Sequence, residues 1–116
     1  MATDSILLEK SLDFASRIMK AYRYLVKNRE YVVSKQLVRS ATSIGANANE
    51  AIYAVSRQDF IAKLHISLKE TAETEYWIRL LMRSEDLTGA MGNSLLNDCL
   101  EIKRILVATL NSVKLN

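Results

Sequence analysis

Leu37-Val38-Arg39-Ser40-Ala41-Thr42-Ser43-Ile44-Gly45-Ala46-Asn47-Ala48-Asn49-Glu50-Ala51 decides the fold. Leu37, Ala41, Ile44, Ala48 and Ala51, continued by Val55, recur at spacings of four and three. That is the heptad seam of a helix lying along another helix. Much of the seam is alanine, so the neighbour can approach closely. Gly45 costs about 1 kcal/mol relative to alanine inside a helix, and a tight contact against its backbone is the simplest reason for it. A second strip of the same helix carries Arg39, Ser43, Asn47 and Glu50, each near the face of the next. The spacing predicts a helix over about 32–55.

Outward from this segment the chain stays helical. It has no proline and only three glycines, Gly45, Gly89 and Gly92, so little interrupts helix anywhere. A first helix is predicted over about 5–28, with Asp4 as its N-cap. Leu8, Ala15, Ile18, Met19, Tyr22, Leu25 and Val26 gather on one side of it, and Glu9, Lys10, Asp13, Arg17, Lys20, Arg23 and Lys27 on the other. Ser56-Arg57-Gln58-Asp59 resembles a capping box and opens a third helix, about 57–84. Its apolar residues spread over two sides: Ile61, Leu64, Leu68, Ile78 and Met82 on one, Ile66, Trp77, Leu80 and Leu81 on the other. A helix apolar on two sides asks for cover on both, and hence for a second subunit. Glu85 to Asn93, with Gly89 and Gly92, reads as a loop. A fourth helix follows over about 93–114, with Leu95, Cys99, Ile102, Leu106, Leu110 and Val113 as its seam. Short connections between four helices imply an all-α, antiparallel up-down four-helix bundle. It is expected to be a single domain over 1–116 that assembles as a homo-oligomer.

A length of 116 residues suits one domain. The net charge of +3 is mild; it speaks to solubility and loose association with anions, and a dedicated nucleic-acid domain is usually more basic. Cys99 is the single cysteine, which excludes an intrachain disulfide. The N-terminus lacks the pattern of a secretory signal and no apolar run approaches a membrane span. The expected home is the cytoplasm.

The chemistry-bearing residues give little to an enzyme. A carboxylate di-iron bundle needs paired Glu-x-x-His motifs, whereas His65 is the only histidine and has no glutamate three residues before it. Cys99 and His65 cannot supply a zinc site within one chain, and Cys99 falls on an apolar seam, where a thiol is usually inert. Ser43-Ile44-Gly45-Ala46-Asn47 lacks the features of a phosphate-binding loop. No cofactor, metal or catalytic residue is expected. Glu70, Glu73 and Glu75 form a carboxylate cluster beside Lys69, and Glu70 and Glu73, three apart, are neighbours on the helix surface. They read either as an acid pair of raised pKa or as partners of an arginine or lysine from another helix, in a network joining Arg39 to Glu50 or Glu70. Lys10, Arg17, Lys20, Arg23 and Lys27 form a basic strip, relieved by Glu9 and Asp13. It reads either as a solvated outer face with pairs such as Asp13–Arg17, or as a surface for phosphates.

The segment quoted first, extended by Gln36 to run from Gln36 to Ala51, resembles the signature of the bacterial four-helix bundle protein family, which includes proteins encoded in intervening sequences of 23S ribosomal RNA genes. Ser56-Arg57-Gln58-Asp59-Phe60-Ile61-Ala62-Lys63-Leu64 and Leu68-Lys69-Glu70-Thr71-Ala72-Glu73-Thr74-Glu75-Tyr76-Trp77 continue the likeness. The resemblance implies a four-helix bundle in a ring-like homopentamer. It also implies kinship with the accessory protein of diversity-generating retroelements, a basic barrel that partners a reverse transcriptase. It carries no catalytic residues. Gly45 stands where many relatives have proline, and Ala51 where they have glycine, which places this chain in a sister group. The functions in view are an oligomeric adaptor for RNA, DNA or a nucleic-acid enzyme, and a protein–protein scaffold.

Overall fold

The computed structural model describes residues 2–115, with side chains described over 6–113. Four helices follow one another: α1 Ala2–Lys27, α2 Val33–Ile52, α3 Arg57–Arg83 and α4 Gly89–Leu115. Among the described residues there is no strand. At about 1.5 Å per residue α2 spans about 30 Å and the other three helices about 40 Å, and the bundle measures 46 × 20 × 19 Å. Packing runs α1–α2–α3–α4 and back to α1, so each helix touches its sequence neighbours and the ring closes between α4 and α1. The C-terminal halves of α1 and α3 therefore share one end with the N-terminal halves of α2 and α4.

The ends of the helices explain the turns. Both α1 and α3 stop in a Schellman motif. Glu30 N–H donates to the Leu25 carbonyl at 2.8 Å and Arg29 N–H to that of Val26 at 2.9 Å, while Asp86 and Glu85 repeat the pattern on Leu81 and Met82. The left-handed position, usually glycine, is taken by Arg29 (φ 68°) and Glu85 (φ 65°). Glu30 then caps α2: its carboxylate accepts from the amides of Val32, Val33 and Ser34, and its carbonyl accepts from the Ser34 hydroxyl. Those amides have no partner inside the helix. Ser56 Oγ accepts from Asp59 N–H at 3.0 Å and Asp59 accepts from Val55 N–H, which opens α3. Thr88 Oγ1 accepts from Met91 N–H and starts α4.

Several expectations are corrected here. The segment 89–93 is helix, not loop, and the turn is confined to 84–88. Gly92 is buried inside α4 because the Met82 side chain occupies the space its Cβ would fill. α2 ends at Ile52, leaving Val55 outside the seam and 93% exposed. α1 is already helical at Ala2, so Asp4 lies within the helix rather than before it; its side chain is outside the described residues.

The core is four seams. α2 gives Leu37, Ala41, Ile44, Ala48 and Ala51, and α4 gives Leu95, Cys99, Ile102, Leu106 and Leu110. α3 contributes Leu64, Ser67, Thr71, Thr74, Ile78 and Leu81, a strict heptad whose middle is hydroxylic. Those hydroxyls are satisfied: Ser67 donates to the Ile44 carbonyl, Thr71 to that of Ser67, and Thr74 meets Ser40 at 2.8 Å. α2 and α4 cover the two sides of α3 within one chain, leaving Ile66 and Tyr76 exposed. On α1 the buried seam is Leu7, Ser11, Phe14, Ile18, Ala21 and Leu25. Most of the apolar side expected from sequence lies one position further along: Leu8, Ala15, Met19, Tyr22 and Val26, joined by Leu12, form a second heptad stripe beside the core seam. Leu12 is 57% and Met19 43% exposed, so this stripe is open on its outer side. The neighbour held against Gly45 is Ser11 of α1, whose Cβ lies 3.1 Å from where an alanine Cβ would stand.

Candidate nucleic-acid interface

The five cations of the basic strip have different fates, set by where each points from α1. Lys10 and Arg17 face α4. Lys10 pairs with Glu101, and Arg17 with Asp98, with a further 2.8 Å hydrogen bond from Arg17 to Ser94 Oγ. The hydrogen bond between Lys10 and Glu101 raises the lysine pKa and lowers that of the carboxylate. These two residues close the bundle. Lys20, Arg23 and Lys27 point outward, exposed, and enter none of the ion pairs among the described residues. Tyr24 stands beside them with Arg17, Lys20, Met91 and Leu95 around a groove of about 310 Å³ between α1 and α4. Exposed cations beside an aromatic face are what a nucleic-acid backbone and its bases require.

The α2–α3 polar residues separate in a similar way. Arg39 lies between Glu70, at 3.3 Å, and Glu73, and also donates to Gln36. Glu73 takes a second hydrogen bond from Trp77 Nε1 at 2.9 Å. A cation thus bridges the two carboxylates across the helices. Glu50 does not join Arg39; it pairs with Lys63 at 3.1 Å. Ser43 and Asn47 turn back onto their own helix, donating to the carbonyls of Arg39 and Ser43. Lys69 is exposed and enters no ion pair among the described residues. Glu75, the third carboxylate of the cluster, takes Arg79 at 3.0 Å and Lys103 of α4 at 3.2 Å. Burial works to raise its pKa, and the hydrogen bonds from Lys103 and Arg79 outweigh it, leaving the carboxyl below its ordinary value.

Cys99 is fully buried, and burial pushes its thiol up to about 12, which leaves little thiolate at neutral pH. Its S–H points to the Thr71 carbonyl at 3.5 Å. His65 is half-buried on α3. Among the described residues no group of three His, Cys, Asp or Glu side chains is placed to hold a metal ion, and no helix is long and apolar enough to cross a membrane. Sequence spacing did not reveal how open the second α1 stripe is. Leu8, Leu12 and Ala15 line a cleft of about 320 Å³ against the small face of Gly45 and Ala46 on α2. The one-position offset between two heptads on α1 was the available signal.

The architecture and its surfaces define a four-helix bundle with a basic outward strip and an open apolar stripe on the same helix. The chain belongs to the 23S rRNA-intervening sequence protein family, which it matches over residues 3–108. It is 49% identical to a protein of unknown function from the S23 ribosomal protein family of Bacteroides thetaiotaomicron, and the two structures agree with a TM-score of 0.92 over 94% of this chain and 98% of that one. No curated protein matches the chain.

Proposed function

We propose that this protein is a non-enzymatic, cytoplasmic adaptor that assembles from several copies of itself, five by the family resemblance, and binds structured nucleic acid. The observation that carries the reading is the outer side of α1. There Lys20, Arg23 and Lys27 stand exposed beside an apolar stripe, Leu8, Leu12, Ala15 and Met19, that a single chain leaves open. The stripe supplies a surface for assembly and the cations a surface for phosphates. Five copies of a +3 chain multiply a field that is weak in one. The family's association with 23S rRNA intervening sequences fits an RNA partner.

The test is binding of a structured RNA and of duplex DNA over a salt series, using protein whose mass is determined in the same buffer. Affinity should fall steeply with salt. The triple variant Lys20→Gln, Arg23→Gln, Lys27→Gln should bind more weakly, with a salt slope shallower by roughly 0.7–0.9 for each phosphate that is no longer neutralised. Arg17 is left out because Asp98 already holds it. Unchanged affinity in the triple variant would rule this face out as the phosphate surface.

A second reading is a protein scaffold, favoured by the same stripe if the occupant is a helix of another protein. Capture of a partner that survives nuclease and is lost in Leu12→Asp would support it.

A further inference from the structure

The basic end of the bundle has a second cleft, on the far side of α4 from the Tyr24 groove. It lies between α3 and α4 and holds about 570 Å³, a size typical of ligand sites. Tyr76, Arg79 and Arg83 come from α3 and Asn93 from α4, over a floor that includes Leu80 and Leu96. Tyr76 is 59% exposed, and Trp77 packs edge-on to it at a centroid distance of 5.1 Å. Trp77 is itself tied to Glu73. Arg79 gives Nε to Glu75, which holds its stem while its two terminal nitrogens make no other hydrogen bond among the described residues. Arg83 is exposed and enters no ion pair among them.

Between the two clefts runs the N-terminal third of α4. Residues 89–97 carry no charged side chain, and Asn93, Ser94 and Asn97 are exposed along it. A polyanion crossing from one cleft to the other meets amide and hydroxyl groups and no carboxylate until Asp98, which Arg17 engages.

We infer that the α3–α4 cleft takes one nucleotide of a single strand, its base against Tyr76 and its phosphate at Arg83 and Arg79. This rests on the proposed function and adds to it where, and in what form, nucleic acid is held. An aromatic ring with arginines serves unpaired bases, because a base inside a duplex offers no free face. The apolar floor suits the base, and Asn93 offers both a donor and an acceptor to its edge.

The test uses the full chain and a short oligouridylate, the same strand paired with oligoadenylate, and uridine monophosphate. Trp77 is the only tryptophan and packs edge-on to Tyr76, so its fluorescence reports on what happens at that ring. The single strand should change that fluorescence saturably. Tyr76→Ala should weaken single-strand binding about five-fold or more, the lower end for loss of one base stack, and Tyr76→Phe should retain it. Arg83→Gln should weaken it as well, and the duplex should be indifferent to Tyr76. Wild-type affinity in both Tyr76→Ala and Arg83→Gln would overturn this inference alone. Failure of wild-type protein to bind these polymers while it binds structured RNA would also overturn this inference alone, and failure on structured RNA as well would overturn it together with the proposed function. Uridine monophosphate binding as tightly as the strand would make the cleft a free-nucleotide pocket and overturn the strand placement.

Discussion

The α2–α3 and α1–α4 interfaces are built from the same kind of heptad seam, both carry ion pairs at the rim, and they differ in how much they pack and what they leave open. The packing of α2 on α3 is the most extensive among the described residues, and the α2 seam is small, with Ala41, Ala48 and Ala51 buried. Ser40 meets Thr74, and Ser67 reaches the Ile44 carbonyl across the helices. Between α1 and α4 the packing is the least extensive of the four helix pairs among the described residues. There the helices are tied at the rim by Lys10–Glu101 and Arg17–Asp98 and leave the groove beside Ala21 and Tyr24. The first interface is a close-packed scaffold. The second joins surfaces that remain available to other molecules. Close packing on one side and open surface on the other are what the proposed binding role calls for.

The largest test of that contrast adds volume to each side. Ala41→Leu, at a fully buried position of the α2 seam, should cost about 1–3 kcal/mol in denaturant unfolding. Ala21→Leu, beside the groove, should change stability by less than about 1 kcal/mol. Equal losses would erase the distinction. Next in size is the buried hydroxyl pair. Thr74→Val leaves Ser40 with only its long bond to the Leu37 carbonyl, at 3.3 Å, and should cost about 1 kcal/mol. Adding Ser40→Ala should recover much of that loss, since removing both partners leaves nothing unsatisfied.

Acid gives a smaller effect with a definite sign. The Glu75 pKa is lowered on folding from an ordinary value of 4.5. Its contribution is therefore complete above about that pH and is lost as the pH falls through the lowered value. Glu75→Gln should flatten the acid limb of a stability–pH curve. Smallest of all is the rim. Arg17→Gln with Asp98→Asn, about two-fifths exposed in the folded chain, should cost less than about 1 kcal/mol, and less again in high salt.

Helix count and two of the four seams were legible from spacing alone, because α2 and α4 carry apolar or small residues at every seam position. α3 misled because Ser67, Thr71 and Thr74 look like surface residues. Their hydroxyls are short enough to be satisfied by nearby carbonyls or by each other, so they sit inside without penalty. The glycines misled in the opposite sense: the turn after α3 uses Glu85 in the left-handed conformation, and Gly92 is small for the sake of Met82. In the candidate interface the basic residues could be seen, but not which of them were already engaged. That depended on Asp98 and Glu101 arriving from the far end of the chain, a tertiary register that local spacing does not encode.

Self-assembly is the claim on which the adaptor reading stands, and the mass of the protein in solution tests it most directly. A mass of about five times the 13.1 kDa of one chain is predicted, falling to smaller species in Leu12→Asp, whose exposed site leaves the fold itself intact. A wild-type mass of a single chain, unchanged by concentration, would contradict it.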